Sequence, residues 1–289
     1  MKLEMNRREL IRTSGLLLAG AAAGSLSQTS KAAETGGRIK KAVGWGMIVE
    51  PKLSVEDKFR VAKDVGFEGV EVSRHASKKD AVEPAELARA SEKVGLPIHG
   101  VSNGGNPDLE AAIDDAAIYG ATTVLQVLRT DPETSYMDNY KRTQELVRSA
   151  IPHAEKKRVK ICIENVWATF LIEPLTMARY IDEFNSPWVR SYFDIGNVMR
   201  WGWPQHWIEV LGNRIEKVHV KEFSLKIAMK DGMSKAFDMP IGQGEINWKR
   251  VREELAKIQY HGWATGEVRG GDRKRLAEIS AEMDRVLYA

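Results

Sequence analysis

The feature that most constrains this chain is a repeated alternation between short β-rich runs and longer stretches with helical spacing. Eight β-rich runs occur, at 42–48, 69–73, 96–102, 122–128, 159–165, 189–195, 215–221 and 263–268. Alternation of this kind is typical of a parallel sheet covered by helices. A glycine separates a helical stretch from the next β-rich run at four junctions, Gly66, Gly95, Gly120 and Gly262. This repetition indicates a closed βα array.

Eight βα pairs in about 250 residues match the size of a (β/α)8 barrel, also called a TIM barrel. The competing fold, a doubly wound open sheet, has a glycine-rich phosphate turn after its first strand. The run Val-Gly-Trp-Gly-Met at 43–47 lacks that spacing. We therefore predict an α/β fold with a single TIM barrel domain over residues 34–289.

The N-terminal segment 1–33 has the pattern of a signal peptide rather than of a barrel element. Arg7 and Arg8 precede a run at 13–24 that is rich in small and apolar residues, and 30–33 offers small residues suited to a signal peptidase. The arginine pair resembles the twin-arginine export signal of bacteria, with Leu10 where that pattern often has phenylalanine. A membrane span needs about 20 apolar residues, so we favour cleavage over an uncleaved anchor. We expect a periplasmic protein.

The same segment accounts for the net charge. The chain has 43 Lys and Arg against 40 Asp and Glu, and residues 1–33 contain 5 of the former and 2 of the latter, which leaves 38 of each. A neutral domain supplies little of the phosphate attraction that drives nucleic-acid binding, so we expect no nucleic-acid partner and membrane contact only through an uncleaved signal.

The single cysteine, Cys162, cannot form an internal disulfide. The sequence leaves open whether the protein forms a homo-oligomer.

Four polar residues stand at or near the ends of successive predicted strands. Glu164, Asp194 and Glu267 end the fifth, sixth and eighth strands, and His219 lies late in the seventh. Active-site residues of a TIM barrel gather at the C-terminal strand ends. Each residue alone is equally well explained as a member of a buried ion pair, but the four at matched depth predict a shared site. Three carboxylates and an imidazole favour one divalent metal ion, Mn²⁺ first, with Mg²⁺, Co²⁺ or Zn²⁺ as alternatives.

These residues and the motifs around them resemble the xylose isomerase-like TIM barrels, a family that includes sugar phosphate isomerases, ketose 3-epimerases and hydroxypyruvate isomerase-like proteins. The resemblance covers nearly all of the chain after residue 33. Its most specific pieces are Ile-Glu-Asn at 163–165, Phe-Asp-Ile-Gly-Asn at 193–197, Val-His-Val-Lys-Glu at 218–222, Ile-Gly-Gln-Gly-Glu-Ile-Asn-Trp at 241–248 and Gly-Glu at 266–267. It implies that Glu164, Asp194, His219 and Glu267 are metal ligands, and that Glu164 and Glu267 are also the catalytic acid and base.

The expected chemistry is proton abstraction beside a sugar carbonyl. A divalent ion that chelates the carbonyl oxygen and the neighbouring hydroxyl acidifies the carbon-bound hydrogen and stabilises the enediolate. One glutamate then removes the proton and a second carboxyl group returns one. With Glu164 and Glu267 on opposite faces of the sugar, the prediction is a metal-dependent isomerase or epimerase.

Three positions depart from the pattern of the epimerases in this family. Asn197 stands where a histidine is common, Leu225 where an arginine is common, and Phe170 where a second glutamate is common. The metal set is therefore intact while the sugar-binding set differs. This difference favours a modified sugar or a glycoside over a free ketose.

Four residues are candidates for substrate binding. Asn197 and Glu222 are predicted to contact sugar hydroxyls, with a rim residue paired to a neighbour as the alternative. His99, at the end of the third strand, is either a substrate contact or a barrel histidine whose hydrogen bonds are satisfied within the fold. The same two interpretations apply to Glu71, near the end of the second strand. Trp201 can stack on an apolar sugar face, pack against a partner subunit, or belong to a helix-start aromatic cluster.

Other functions remain open on sequence. The same metal and bases can drive β-elimination from a 3-keto-glycoside or a dehydration, because abstraction beside a carbonyl is the shared step. An apurinic endonuclease-like function is disfavoured by Asn197 in place of a histidine, by the missing Asp-x-His after the seventh strand and by the neutral charge. A non-catalytic carbohydrate-binding barrel is the remaining alternative.

Overall fold

Eight parallel strands form a closed barrel in the computed structural model, which describes residues 38–74 and 82–289. Consecutive strands pair in chain order, and β8 pairs with β1 to close the sheet. The strands are β1 (Lys40–Gly44), β2 (Gly69–Ser73), β3 (Ile98–Ser102), β4 (Thr123–Gln126), β5 (Lys160–Glu164), β6 (Val189–Asp194), β7 (Ile215–Val220) and β8 (Trp263–Gly266). Each overlaps one predicted run, so the single TIM barrel domain is confirmed. The predicted signal segment 1–33 lies outside the described residues.

Within the described ranges, ten α-helices connect the strands and close the chain. They are α1 (Val55–Asp64), α2 (Pro84–Val94), α3 (Leu109–Tyr119), α4 (Tyr136–Lys157), α5 (Pro174–Asp182), α6 (Pro204–Leu211), α7 (Leu225–Asp231), α8 (Met233–Ala236), α9 (Trp248–Lys257) and α10 (Arg273–Tyr288). One helix follows each of the first six strands, three lie between β7 and β8, and α10 follows β8. In this part of the chain, none has the length and hydropathy to cross a bilayer.

The glycine junctions are built in two ways. Gly66, Gly95 and Gly120 have φ values of 98°, 65° and 69°, the left-handed region that glycine adopts without steric cost. At the fourth junction Gln259 takes the left-handed conformation instead, with φ of 54°. Gly262 is required there for space, because a Cβ would lie 2.5 Å from the hydroxyl oxygen of Tyr260. The repeated glycine therefore marks the junctions correctly, although its physical reason differs at the last one.

The barrel interior carries polar side chains, whereas the layer between strands and helices is apolar. The outer layer includes Phe59, Ile161 and Ile279, all fully buried. Inside the barrel lie Glu71, His99, Tyr192, Lys217 and Thr265, none more than 5% exposed. Buried polar groups must find hydrogen-bond partners, so this interior layer forms a connected floor beneath the C-terminal rim.

Candidate metal centre

The four strand-end residues singled out in the sequence converge at the C-terminal rim. One ligand atom from each of Glu164, Asp194, His219 and Glu267 lies within 4.8 Å of the others. Glu164 and Asp194 are the last residues of β5 and β6, His219 is the next-to-last of β7, and Glu267 follows β8 directly. The Glu267 side chain is 47% exposed and that of Asp194 is 0% exposed. The cluster is therefore open to solvent on the side of β8.

Strand register places Asp194 and His219 side by side in the cluster. Asp194 pairs with His219 across β6 and β7, and His219 pairs with Thr265 across β7 and β8. Residues two apart on a strand point to the same face. Tyr192 therefore lies one step below Asp194, and Lys217 one step below His219. The cluster forms an upper layer and the polar floor forms the layer beneath it.

The orientation of His219 is fixed from below. Its Nε2–H donates to Glu71 Oε1 at 3.1 Å, so Nδ1 faces the rim. Nδ1 lies 3.5 Å from Glu164 Oε1, 3.4 Å from Glu267 Oε2 and 3.8 Å from Asp194 Oδ2. Burial alone would lower the pKa of His219, but Glu267 and Glu71 outweigh it and raise the pKa well above its ordinary value. A partner on the other ring nitrogen is the usual device for orienting a metal-binding histidine.

The floor is a directed chain of hydrogen bonds that ends on Glu71. Lys217 donates to His99 Nδ1 at 2.7 Å, and His99 Nε2–H donates to Thr265 Oγ1 at 3.0 Å. Thr265 then donates to the Tyr192 hydroxyl at 3.2 Å, and Tyr192 donates to Glu71 Oε2. Burial, followed by the positive charge of Lys217, lowers the pKa of His99 well below its ordinary value, which keeps the ring neutral. Both oxygens of Glu71 thus act as acceptors.

Asp194 is clamped by its neighbours on the β5 and β6 loops. The Asn165 side chain accepts from the Asp194 N–H and donates to its carbonyl, both at 2.9 Å. The Asn197 backbone N–H donates to Asp194 Oδ1 at 2.8 Å. Burial raises the pKa of Asp194 to about 7, against the opposing effect of the Lys221 ammonium. Asn165, which the sequence analysis did not single out, therefore fixes the backbone that presents this carboxylate.

Lys221 is a second residue that the sequence analysis missed. Its Nζ lies 2.8 Å from Asp194 Oδ2 and 2.6 Å from Glu267 Oε2. Burial would lower the pKa of Lys221, but the two carboxylates outweigh it and raise the pKa above its ordinary value. Gly196 gives the side chain room, because a Cβ there would lie 2.5 Å from Lys221 Cγ. The available signal was spacing, since Lys221 lies two residues after His219.

The donor set fits a divalent cation. In the described part of the chain, the buried His219 Nδ1 has no hydrogen-bond partner, and Asp194 Oδ2, 3.8 Å from it, pairs with the Lys221 ammonium at 2.8 Å. Three carboxylates and one ammonium leave a net charge of −2 when His219 is neutral. An oxygen-rich set with one imidazole suits Mn²⁺ or Mg²⁺. The four residues are thus a candidate metal site.

Three of the predicted substrate contacts are engaged within the fold. Both ring nitrogens of His99 are occupied in the floor, and its ring stacks on Trp263 at 4.6 Å. Glu222 is fully buried and accepts from the Gly242 N–H at 2.7 Å and the Trp248 indole at 2.8 Å. Asn197 is 4% exposed, and its Nδ2–H donates to the Asn165 carbonyl at 3.0 Å, while its Oδ1 is buried without a partner among the described residues. The structure matches the alternative that the sequence left open for each, a paired side chain, and their substrate roles stay predictions.

Trp201 stands apart from these three because it is exposed. Its side chain is 55% exposed, and its indole N–H donates to the Trp167 carbonyl at 3.0 Å. The guanidinium of Arg200 lies 4.4 Å from the centre of the Trp201 ring. An exposed indole held by two neighbours retains a free apolar face, so the predicted sugar contact of Trp201 stays open.

The barrel and the four-residue cluster define a class, a (β/α)8 protein with a candidate metal site at the C-terminal rim. The family model of the xylose isomerase-like TIM barrel matches residues 59–287, and the chain belongs to that family. The resemblance seen in the sequence is therefore confirmed.

Individual relatives are distant. A Haemophilus influenzae protein provisionally named as an L-ribulose-5-phosphate 3-epimerase is 27% identical over 53% of this chain and 54% of its own length. The chain thus spans about half the length of the curated relatives it matches. The solved 3-keto-D-glucoside 4-epimerase YcjR from E. coli has a TM-score of 0.67 at 17% identity, covering 86% of this chain and 99% of that one. An L-ribulose 3-epimerase has a TM-score of 0.70 at 16% identity, covering 87% and 94%. These structures share the fold.

Proposed function

We propose that this protein is a divalent-metal-dependent sugar epimerase or isomerase that works by proton abstraction beside a carbonyl. The observation that carries the proposal is the convergence of four ligand atoms within 4.8 Å at the rim of the barrel. The names of the relatives, L-ribulose-5-phosphate 3-epimerase, 3-keto-D-glucoside 4-epimerase and L-ribulose 3-epimerase, support the same reaction class. Mn²⁺ is the proposed ion.

A divalent ion at this site supplies Lewis-acid polarisation of the substrate carbonyl. Glu267 is suited to accept the proton, because it is half-exposed at the open side of the cluster. Its partial burial would raise its pKa, but the nearby His219 and Lys221 outweigh this effect and hold the pKa well below its ordinary value, so the carboxylate is ionised. Glu164, only 8% exposed, is the second carboxyl group. Which of the two acts first depends on the handedness of the substrate.

The test is deuterium exchange from solvent into a panel of ketoses and 3-keto-glycosides with Mn²⁺ present. We expect exchange with the wild-type protein and at least a 100-fold loss for Glu267→Gln, since one acid–base group contributes about 10²–10⁴-fold. The matched control is Glu253→Gln, a 38% exposed glutamate on α9 that pairs with Arg250. Full exchange by Glu267→Gln would overturn the assignment. Intact sugar binding without any exchange by the wild type would indicate a non-catalytic carbohydrate-binding barrel.

Elimination is the second candidate reaction, because it begins with the same proton abstraction. The metal cluster and both glutamates serve a 3-keto-glycoside lyase or a dehydratase equally well. The products distinguish them, since epimerisation conserves mass while elimination yields a product lighter by the aglycone or by one water. Mass spectrometry of the exchange mixtures therefore decides between the two.

We further propose export by the twin-arginine route, with cleavage near residue 33. The supporting observation is the sequence of residues 1–33, with Arg7 and Arg8 before a short apolar run. Replacing both arginines with lysine should abolish export. N-terminal sequencing of the periplasmic protein locates the cleaved bond, and a protein that still begins at Met1 would contradict cleavage.

A further inference from the structure

A cavity of about 700 Å³ lies at the C-terminal rim, between the loops that follow β4 and β5. Residues 127–132, 134, 136, 139 and 166–170 line this β4–β5 cavity, and the four cluster residues are not among them. Val166 is nevertheless only two residues after Glu164, and two residues of chain span about 7 Å at most. The volume of the β4–β5 cavity falls within the roughly 300–1,000 Å³ typical of small-molecule sites. The cavity is therefore a ligand-sized space next to the metal centre.

The wall offers aromatic faces that are held in place. Trp167 is 42% exposed, and its carbonyl accepts from the Trp201 indole at 3.0 Å. The Arg200 guanidinium lies 5.5 Å from the centre of the Trp167 ring. Elsewhere in the wall, the ring centres of Tyr136 and Phe170 are 5.4 Å apart. Fixed aromatic rings with an open face bind flat ligands with an apolar side, as the C–H face of a pyranose has.

The wall also contains a positively charged donor, the side chain of Arg129. Among the described residues, the Arg129 side chain forms no ion pair and no hydrogen bond, although it lines the cavity and is exposed. Asp131 and Asn139 are by contrast engaged with each other, since the Asp131 N–H donates to Asn139 Oδ1 at 2.9 Å. The guanidinium thus has its N–H groups available for hydroxyl oxygens of a ligand.

The backbone of the same wall is strained. Thr169 in the wall and Leu171 just beyond it have φ values of 75° and 50°, in the left-handed region that residues other than glycine rarely adopt and that is least favourable for a β-branched side chain. Strain of this kind is concentrated in segments that shape ligand sites. The loop after β5 therefore holds a conformation that local sequence preference does not explain.

We propose that the β4–β5 cavity binds the second sugar ring of a disaccharide glycoside whose reacting ring is held at the metal centre. The inference rests on the proposed function, because it assigns the reacting ring to the metal cluster. The second ring stacks on Trp167, and its hydroxyls accept from Arg129. The substrate class is thus a keto-disaccharide rather than a free ketose.

The test compares methyl 3-keto-β-glucoside, which has one ring, with 3-keto-cellobiose, which has two, in the deuterium-exchange assay with Mn²⁺. We expect the wild type to prefer the disaccharide by at least tenfold in kcat/KM. Trp167→Ala should lower kcat/KM for the disaccharide about tenfold, as expected for one stacking contact, and leave the methyl glycoside within twofold. Arg129→Met should likewise lower kcat/KM for the disaccharide and leave kcat/KM for the methyl glycoside within twofold. Trp203→Ala is the matched control, because Trp203 is 50% exposed and outside the cavity wall.

Calorimetric binding of unreactive cellobiose separates this inference from the proposed function. Tighter binding by wild type than by Trp167→Ala supports the subsite whether or not turnover occurs. Absence of exchange with both sugars overturns the proposed function and leaves the binding result to decide the subsite. Equal cellobiose affinity for wild type and Trp167→Ala, or equal kcat/KM for the two sugars, overturns the subsite.

Discussion

The two halves of the barrel use similar residue types for different tasks. Each of the strands β5 to β8 carries a candidate ligand at its last or next-to-last residue or directly after it, and the four ligand atoms lie within 4.8 Å of one another. The strands β1 to β4 end in the neutral residues Gly44, Ser73, Ser102 and Gln126. The ionisable side chains of β2 and β3, Glu71 and His99, instead form hydrogen bonds inside the barrel. One half supplies the ligands, and the other half supplies the groups that orient them.

Glu71 and Glu164 show how position along a strand decides the task. Glu164 is the last residue of β5, so its carboxylate reaches the rim, whereas Glu71 is the third of five residues in β2. From that depth Glu71 meets His219 Nε2 and the Tyr192 hydroxyl. A glutamate can thus serve as a candidate ligand at the strand end and as an orienting group below it.

Removing a ligand from the β5–β8 half should give the largest effect. Asp194→Asn keeps the shape and removes the charge of a fully buried carboxylate whose Oδ2 lies 3.8 Å from His219 Nδ1 and 2.8 Å from Lys221 Nζ. We expect the Mn²⁺ dissociation constant to rise by more than about 100-fold, beyond the 10–100-fold usual for an orienting partner. Titration calorimetry measures it. Asp231→Asn, at the exposed end of α7, is the control, and unchanged Mn²⁺ affinity of Asp194→Asn would refute the metal site.

Removing the orienting carboxylate tests the other half. A glutamine in Glu71→Gln has one accepting oxygen, so it cannot accept from both His219 and Tyr192 as Glu71 does. We expect Mn²⁺ binding to weaken about 10–100-fold, with a change in the tautomer of His219 visible in its ¹⁵N chemical shifts. Glu86→Gln on the exposed face of α2 is the control. If the affinity and the tautomer both stay as in the wild type, β1 to β4 do not orient the site.

The sequence predicted the ligand half better than the orienting half, for a physical reason. Strand runs and strand-end residues are local patterns, and the rim rule of the barrel turns them into a site. The contact of Glu71 with His219 joins residues 148 positions apart, and that of His99 with Thr265 joins residues 166 apart. Only the closed register sets the depth of such residues. The junction at Gly262 likewise depends on Tyr260, which a glycine pattern does not reveal.

The smallest expected effect concerns Lys217, where the directed chain of the floor begins. Burial lowers the pKa of Lys217 to about 8 from the 10.5 of a free lysine. The unfolded chain therefore binds more protons than the folded protein between these values, so stability rises as the pH increases through this window and falls as the pH drops through 8. The contribution between pH 8 and 9 is about 1 kcal/mol. Lys217→Met should lose this increment in urea unfolding at the two pH values.

Lys274→Met, at an exposed position of α10, is the control and should keep the wild-type increment. The Lys217→Met protein should also keep Mn²⁺ affinity closer to wild type than Glu71→Gln does, because Lys217 contacts His99 and reaches Glu71 only through Thr265 and Tyr192. If Lys217→Met weakens Mn²⁺ binding as much as Glu71→Gln, the whole chain rather than Glu71 alone orients His219. In that case β7 would supply both a ligand, His219, and an orienting group, Lys217. The two tasks would then not be divided between the two halves of the barrel.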